Sequence, residues 1–435
     1  MSDWKIEPHQ WKMQGEIYIS PDKSITHRAL LLASLVDGIS YIHNPLMAGD
    51  TKSTLQTLQQ LGIQIEKISD NTLRVKGNTF QKPTKILNLG NTGTGIRLLS
   101  GILAGLPFKT SINSSEQMRK RPMKRILNPL RAMGAKIQTK QNDQLPWIFQ
   151  PSVLHAIEYT MPIASAQVKS CLLLASLFTK ETMKIIEQIP TRDHTERMLQ
   201  LMGAKIWKEN HCIQLIPSSL QPLHITIPND FSSAAFFIVA ALLLPNSNII
   251  LRNINFNPTR IGLYHALLAM GANIKILQLQ TKYNEPIADL QIQTSTLCSI
   301  SIQGSQVVDM IDEFPIFMIA ASQAHGVTTV HDAQELRYKE TDRIATMIQE
   351  LQKMNIFVQE YEDGFRIHGP QTPQASQVYS HNDHRVAMSL IILAMLASKP
   401  SIIKDASAIY DSLHSLSFNK NLSLNENLSS NSDVS

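Results

Sequence analysis

The sequence predicts an α/β protein of two domains, each built from three copies of one supersecondary unit. Three observations lead there. Six times along the chain, about 70 residues apart, a polar or charged cluster runs straight into a long apolar helical stretch. A second echo follows five of them: LQQLGIQI from Leu58, LRAMGAKI from Leu130, LQLMGAKI from Leu199, LLAMGANI from Leu267 and a worn LQKMNIFV from Leu351. Finally, 435 residues exceed one ordinary core and suit two domains of about 200 residues each.

The six leading stretches are DKSITHRALLLASL from Asp22, NTGTGIRLLSGILAG from Asn91, SAQVKSCLLLASLF from Ser165, DFSSAAFFIVAALLL from Asp230, DEFPIFMIAASQA from Asp312 and NDHRVAMSLIILAM from Asn382. Each is apolar nearly all round, as in Ala29-Leu30-Leu31-Leu32-Ala33, so each predicts a helix buried on every side. The echo carries one apolar stripe, as in Met198-Leu199-Leu201-Met202, and predicts an amphipathic covering helix that ends in a glycine turn. Alternating β-branched runs such as His224-Ile225-Thr226-Ile227 predict short strands. Three units per domain put one boundary near Pro228, and symmetry puts a matching crossover near Ser20. The expected domains are therefore 21–228 and a discontinuous 1–20 plus 229–418. The Asn/Ser-rich remainder, 419–435, is expected to be a disordered polar tail.

Composition excludes several classes. Apolar content of 43% with 17% charged residues describes a globular chain with ample core, and the net charge of +5 suits acidic small molecules at least as well as nucleic acid. The start has no signal-peptide or transit character, and the longest apolar run, Ala234 to Pro245, is about 12 residues, too short to span a bilayer. The three cysteines, Cys171, Cys212 and Cys298, are odd in number and far apart, which gives no disulfide framework or zinc cluster. A cytoplasmic protein is expected. The motif at Gly93-Thr94-Gly95 puts Leu98 where a dinucleotide fingerprint needs its third glycine, and no P-loop occurs. His381 and His384 lack an obvious third ligand, so no metal is expected.

The functional signal is electrostatic. A helix N-terminus carries about half a positive charge, and a cation beside it is disfavoured by about 0.3–1 kcal/mol. Yet Lys23, His27 and Arg28 crowd the first helix start, Arg97 the second, Lys169 the third, and His384 with Arg385 the sixth. Recurrence at one phase points to bound anions; the alternative is that these side chains snorkel outward or pair with nearby acids. Two basic clusters agree. MRKRPMKR from Met118 is broken by Pro122 and has no interleaved aromatics for stacking bases, which argues against nucleic acid. ELRYKETDRI from Glu335 puts Lys339 and Arg343 at i,i+4, a like-charge pair that a shared anion or Glu340 and Asp342 would neutralise.

The chain resembles the 5-enolpyruvylshikimate-3-phosphate synthase (3-phosphoshikimate 1-carboxyvinyltransferase) family from about Ile17 to about Ile409. The resemblance rests on DKSITHRALLLASL, LGNTGTGIRLL, RKRPMKRILNPLRAMGA, SAQVKSCLLLA, TRDHTERMLQLMGA, NPTRIGLYHALLAMGA, ADLQIQ, MIDEFPIF, ELRYKETDRI and DHRVAMSL. It implies the enolpyruvyl transferase fold, with three βαβαββ repeats per domain and substrates in the interdomain cleft. The implied reaction moves the enolpyruvyl group of phosphoenolpyruvate to the 5-hydroxyl of shikimate 3-phosphate, releases phosphate and uses no metal or organic cofactor. The implied shikimate 3-phosphate contacts are Lys23, Ser24, Arg28, Ser165, Ala166, Gln167, Arg192, Asp312 and Lys339. Lys23, Gly93, Arg121, Gln167, Arg343 and Arg385 would surround phosphoenolpyruvate. Asp312 would accept the hydroxyl proton, with Lys23, Glu340 and His384 as further proton-transfer candidates. Asp312 is also placed to cap its helix, a role compatible with catalysis. A monomer acting on small molecules, and inhibited by glyphosate at the phosphoenolpyruvate site, is implied too. Like-signed charge from the two halves, Lys23 and Arg28 facing Lys339 and Arg385, predicts a cleft that closes when shikimate 3-phosphate neutralises it.

The chain departs from the family pattern at Pro21, Asn229 and Asn382, which replace glycines, and at Ser114-Ser115, which replaces Gly-Asp. Near the end, AIYDSLHSL from Ala408 stands where a TSFP-like turn is typical. Two other readings remain open at this point. A related transferase acts on UDP-N-acetylglucosamine and usually carries a reactive cysteine before its basic segment; Ser111 to Met123 contains none. A catalytically inactive paralogue would keep the anion cleft without turnover.

Overall fold

The computed structural model describes residues 3–406. Six apolar helices form its interior: Lys23–Leu35, Gly93–Gly105, Ala166–Ser176, Phe231–Leu243, Phe314–Gln323 and His384–Ala394. They are the first to sixth core helices below. In the fourth, every side chain from Phe231 to Leu242 is buried, as an apolar circumference requires. Short polar side chains start five of the six. Asp22, Thr92, Ser165, Asp230 and Asp383 each accept a backbone N–H in the first turn, satisfying donors that a buried helix end could not leave unpaired.

Around these helices lie five four-stranded sheets and one three-stranded sheet. The second unit shows the plan without interruption. Strand Leu87–Asn88 leads through the second core helix to the parallel strand Thr110–Asn113, and helix Lys124–Ala132 leads to the antiparallel pair Lys136–Gln138 and Trp147–Gln150. Covering helices turn into their strands through Gly62, Gly134, Gly203 and Gly271, at φ between 80° and 96°. Only glycine adopts that backbone at no cost. In the worn fifth copy Asn355 takes the place at φ 61°, the residue that best tolerates it. Asn382, another glycine replacement, sits at φ 58° for the same reason.

The described residues contain two separate hydrophobic cores. One is drawn from Ile25 to Ile227; the other combines Ile6 to Ile19 with Phe231 to Ala406. The chain crosses between them twice, each time just after a short strand that pairs within its own side. Gln14–Ile17 pairs in parallel with Asn248–Asn255, whereas His224–Thr226 pairs in parallel with Ile39–His43. The two crossings touch at Pro21 and Asn229, where Asp22 N–H donates to Pro228 O and Asp230 N–H to Ser20 O. Buried Arg260 binds both Asp22 and Asp230 there, which ties the caps of the first and fourth core helices to one guanidinium. The starts of core helices from both sides consequently face one another. No helix among the described residues is long and apolar enough to cross a membrane.

Candidate active site

Between the cores lies a cavity of about 590 Å³ lined from both sides, by Lys23, Arg28, Arg97, Arg121, Gln167 and Arg192 from one and by Asp312, Lys339, Glu340, Arg343, His384 and Arg385 from the other. Its charge is arranged in pairs. Arg192 meets Asp312 at 2.8 Å, Arg121 meets Glu340 at 3.0 Å and Arg125 meets Glu335 at 3.0 Å, all three across the cleft. Within one side, Lys23 Nζ lies 3.1 Å from Asp50, and Arg343 is held by Asp383 at 2.9 Å and Glu340 at 2.7 Å. Arg385 donates to the backbone carbonyl of Asp312 at 2.9 Å. Arg28 binds only neutral oxygens: Thr195 Oγ1 at 2.8 Å, Ser170 Oγ at 2.9 Å and Ser24 O at 3.0 Å.

Donors outnumber acceptors even so. The Nε atoms of Arg97 and Arg121 and Nη2 of Arg192 are buried without a hydrogen-bond partner. Unsatisfied buried donors on charged groups cost more than neutral ones, so the cavity is built for acceptors it does not itself contain. Proton affinities follow. Burial pushes the Asp312 carboxyl up, but Arg192, Arg385, Lys339 and Arg343 together outweigh it and hold the group well below the usual range. Glu340 is likewise held low, burial being overcome by Arg343, Arg121, His384 and Lys23. Burial lowers Lys339 to about 8 despite Asp312. His384 falls to about 3, first through burial and then through Lys23 and Arg385.

Comparison with known proteins agrees with this chemistry. The sequence profile described as EPSP synthase (3-phosphoshikimate 1-carboxyvinyltransferase) matches residues 8–417. The chain belongs to the EPSP synthase family. A 3-phosphoshikimate 1-carboxyvinyltransferase of Thermodesulfovibrio yellowstonii is 44% identical over 404 residues, covering 91% of this chain and 94% of that one. A protein of the same name from Petrotoga mobilis is 42% identical over 396 residues, covering 89% and 92%. Among solved structures, an EPSP synthase from Acinetobacter baumannii superposes with a TM-score of 0.85 at 36% identity, covering 95% of this chain and 96% of that one. The enolpyruvyl transferase NikO of Streptomyces tendae shares the fold, with a TM-score of 0.74 at 14% identity over 94% of each chain.

Against the residues that the EPSP synthase motifs nominate, the cavity wall brings together every one except Gly93. Gly93 lies just behind it. A Cβ there would stand 2.9 Å from Arg121 Nη1 and 3.3 Å from Arg97 Nη1, so two guanidinium groups occupy the space over this glycine.

Several expectations need correction. Lys169 is not a cleft cation: it is fully buried, bonded to Glu187 at 3.1 Å and Glu196 at 2.7 Å, and is not among the residues that line the cavity. His27 is no cation either, because burial lowers it to about 3 and its Nδ1 pairs with Thr54 Oγ1 at 2.9 Å. Asp312 does not cap its helix; the cap position is Glu313, with no side-chain bond, and Asp312 is turned into the cleft by Arg192. Lys339 and Arg343 do not share a helix. A 3-10 turn ends at Tyr338, Lys339 is extended, and Asp342 caps a new helix from Arg343. Three pairs of opposite charge join the halves across the cleft, and the expected like-signed charge stands beside them: Arg385 lowers the proton affinity of Lys23, and Arg192 that of Lys339. The altered segment from Ala408 and the tail from 419 lie outside the described residues.

Sequence reasoning missed Asp50, Arg125 and Glu335 as partners within the cleft. Nothing marks Asp50 locally; it is a first-turn acid in the helix Gly49–Gln60, brought to Lys23 by packing of two helices. Arg125, in the first turn of the helix Lys124–Ala132, belongs to the basic cluster already noted, but nothing in the sequence separates it from Lys120, which remains largely exposed.

Proposed function

We propose that the chain catalyses transfer of the enolpyruvyl group of phosphoenolpyruvate to the 5-hydroxyl of shikimate 3-phosphate, with release of phosphate, on the route to aromatic amino acids. The observation that carries this reading is a cavity in which cations from both sides gather with Lys23, Asp312 and Glu340. Both substrates are polyanions, and an excess of aligned donors in a water-poor site is what stabilises them and their transition state.

In this reading shikimate 3-phosphate is held by Ser24, Arg28, Ser165, Ala166, Gln167, Arg192, Asp312 and Lys339. Phosphoenolpyruvate lies against Gly93, Arg121, Gln167, Arg343 and Arg385, with Lys23 shared. The phosphate of shikimate 3-phosphate draws Arg192 away from Asp312. Losing that 2.8 Å partner raises the proton affinity of Asp312. Asp312 then takes the proton of the 5-hydroxyl as its oxygen bonds to C2 of phosphoenolpyruvate, while the methylene carbon accepts a proton. Loss of a proton from the resulting methyl group, with cleavage of the C2–O bond to phosphate, restores the double bond. Lys23, Glu340 and His384 border the methylene and serve those two transfers. The proton affinity of His384 is depressed first by burial and then by Lys23 and Arg385, and a bound phosphate offsets the second part of that depression.

Side chains supply all the charge and proton transfer in this scheme, so it calls on no metal or organic cofactor. Within the described residues the two cores support a domain of 21–228 and a discontinuous one of 3–20 plus 229–406, and we place the enzyme in the cytoplasm as a monomer. A phosphate-release assay tests the function. Release with shikimate 3-phosphate and phosphoenolpyruvate, and none with UDP-N-acetylglucosamine in place of the first, is expected. The reverse pattern assigns the other transferase activity, and silence with both alongside tight shikimate 3-phosphate binding assigns an inactive paralogue.

A further inference from the structure

Among the described cleft cations, Arg97 alone has neither a role above nor a carboxylate partner, since Arg125 pairs with Glu335 and Arg260 with Asp22 and Asp230. Arg97 rises from the second turn of the second core helix, is 6% exposed and lines the cavity. Its Nη1 donates to Gln167 Oε1 at 2.6 Å, and its Nε has no partner. Arg121, Arg125, Arg192, Arg343 and Arg385 each have a carboxylate within 4 Å; among the described cleft arginines only Arg28 and Arg97 have none. Arg28 is already assigned to a substrate anion, and its want of an acid is thereby explained. Arg97 meets the same conditions.

Its position is otherwise unfavourable. Burial, then Arg121 and Arg125, lower its guanidinium to about 9, and the helix N-terminus beside it adds further positive potential. Orienting Gln167 does not require a charge, since the neutral Thr94 hydroxyl already accepts from the Gln167 amide at 3.0 Å. The geometry also names a location. Nη1 of Arg97 and Nη1 of Arg121 both lie within 3.3 Å of the point a Cβ on Gly93 would occupy, so the two guanidinium groups converge over that glycine.

We propose that Arg97 is a further phosphate-contacting residue of the phosphoenolpyruvate subsite, sharing that phosphate with Arg121 over Gly93. This rests on the subsite reading given above. As the C2–O bond breaks, its electron pair remains with the phosphate, and Arg97 meets the charge that develops on the leaving oxygen. The same contact holds inorganic phosphate before release. A charge-assisted hydrogen bond of this kind is worth about tenfold or more in affinity.

The test compares wild type, Arg97→Gln, Arg97→Lys and Arg121→Gln by steady-state kinetics, with inorganic phosphate as a product inhibitor and calorimetric binding of shikimate 3-phosphate as the reference. Arg97→Gln is expected to raise both the KM for phosphoenolpyruvate and the inhibition constant for phosphate about tenfold or more. Binding of shikimate 3-phosphate should stay within about threefold, and Arg97→Lys should recover part of the loss. If Arg97→Gln does not fold, Arg97→Lys still decides, because loss of the planar fork weakens phosphate inhibition only if the ion touches it. Wild-type constants in the Arg97 variants, with both constants shifted in Arg121→Gln, would reduce Arg97 to a tether for Gln167. Wild-type constants in every variant would overturn the subsite reading itself.

Discussion

Replacing Asp312 by Asn separates catalysis from binding more sharply than any other change in the cleft. The carboxylate is 2.8 Å from Arg192, 3.5 Å from Arg343 and 3.9 Å from both Lys339 and Arg385. It therefore competes as an internal anion with the substrate for these cations. The Arg192 pair is about one-seventh to one-fifth exposed, so breaking it costs on the order of 1 kcal/mol. Removing the charge while keeping an amide to bond the hydroxyls should leave shikimate 3-phosphate binding unchanged or tighter by several-fold. The same change removes the base for the 5-hydroxyl, an effect worth about 10²–10⁴ in rate. Calorimetry for Kd and phosphate release for kcat read the two halves separately. A kcat within about tenfold of wild type, or a Kd raised by more than that, would refute the reasoning.

Two further outcomes follow from particular groups. Lys339 holds its anion only while protonated, and burial brings it to about 8, well under its ordinary value. The affinity it supplies is full below that pH and fades as pH rises through it, so kcat/KM for shikimate 3-phosphate should decline above about pH 8 while kcat does not; in Lys339→Arg the decline should vanish, and its persistence would point to another group. Gly93→Ala puts a methyl group 2.9 Å from Arg121 Nη1, which the flexible arginine can yield to by shifting. The KM for phosphoenolpyruvate should rise about several-fold with thermal stability unchanged, and an unaltered KM would mean that Arg121 is not where phosphoenolpyruvate binds.

Much of the architecture was legible because burial leaves a mark on sequence. Stretches apolar on every side, such as Phe231–Leu243, can only be interior helices, and four glycines at equivalent turns, with Asn355 in the fifth, report a fixed left-handed backbone. What sequence could not supply is the partner that a charge finds. Arg97 and Lys169 stand in the early turns of successive core helices and look alike in the chain. Packing sends Lys169 to Glu187 and Glu196 and sends Arg97 into the cavity. Likewise the acids that neutralise Arg121, Arg125 and Arg192 come from the opposite core, more than 100 residues away in each case. Only the chain crossings at Pro21 and Asn229 bring them there. The break between Lys339 and Arg343 was hidden for a local reason: Asp342 reads equally well as a surface charge or as the cap it is.

The account turns on Lys23, which the cleft places between Asp50 and the residues assigned to both substrates. Its ammonium is buried, yet its proton affinity is raised, because Asp50 and Glu340 outweigh the burial and Arg385 that lower it. Such a group can anchor anions and return a proton when they neutralise its surroundings. The most direct measurement is the turnover of Lys23→Met in the phosphate-release assay, with its melting temperature recorded beside it. Turnover lost to about 10³-fold or more below wild type, with an unchanged melting temperature, is the predicted result. A folded Lys23→Met enzyme that turns over within about tenfold of wild type would contradict the assignment of this cleft as the place where the two substrates react.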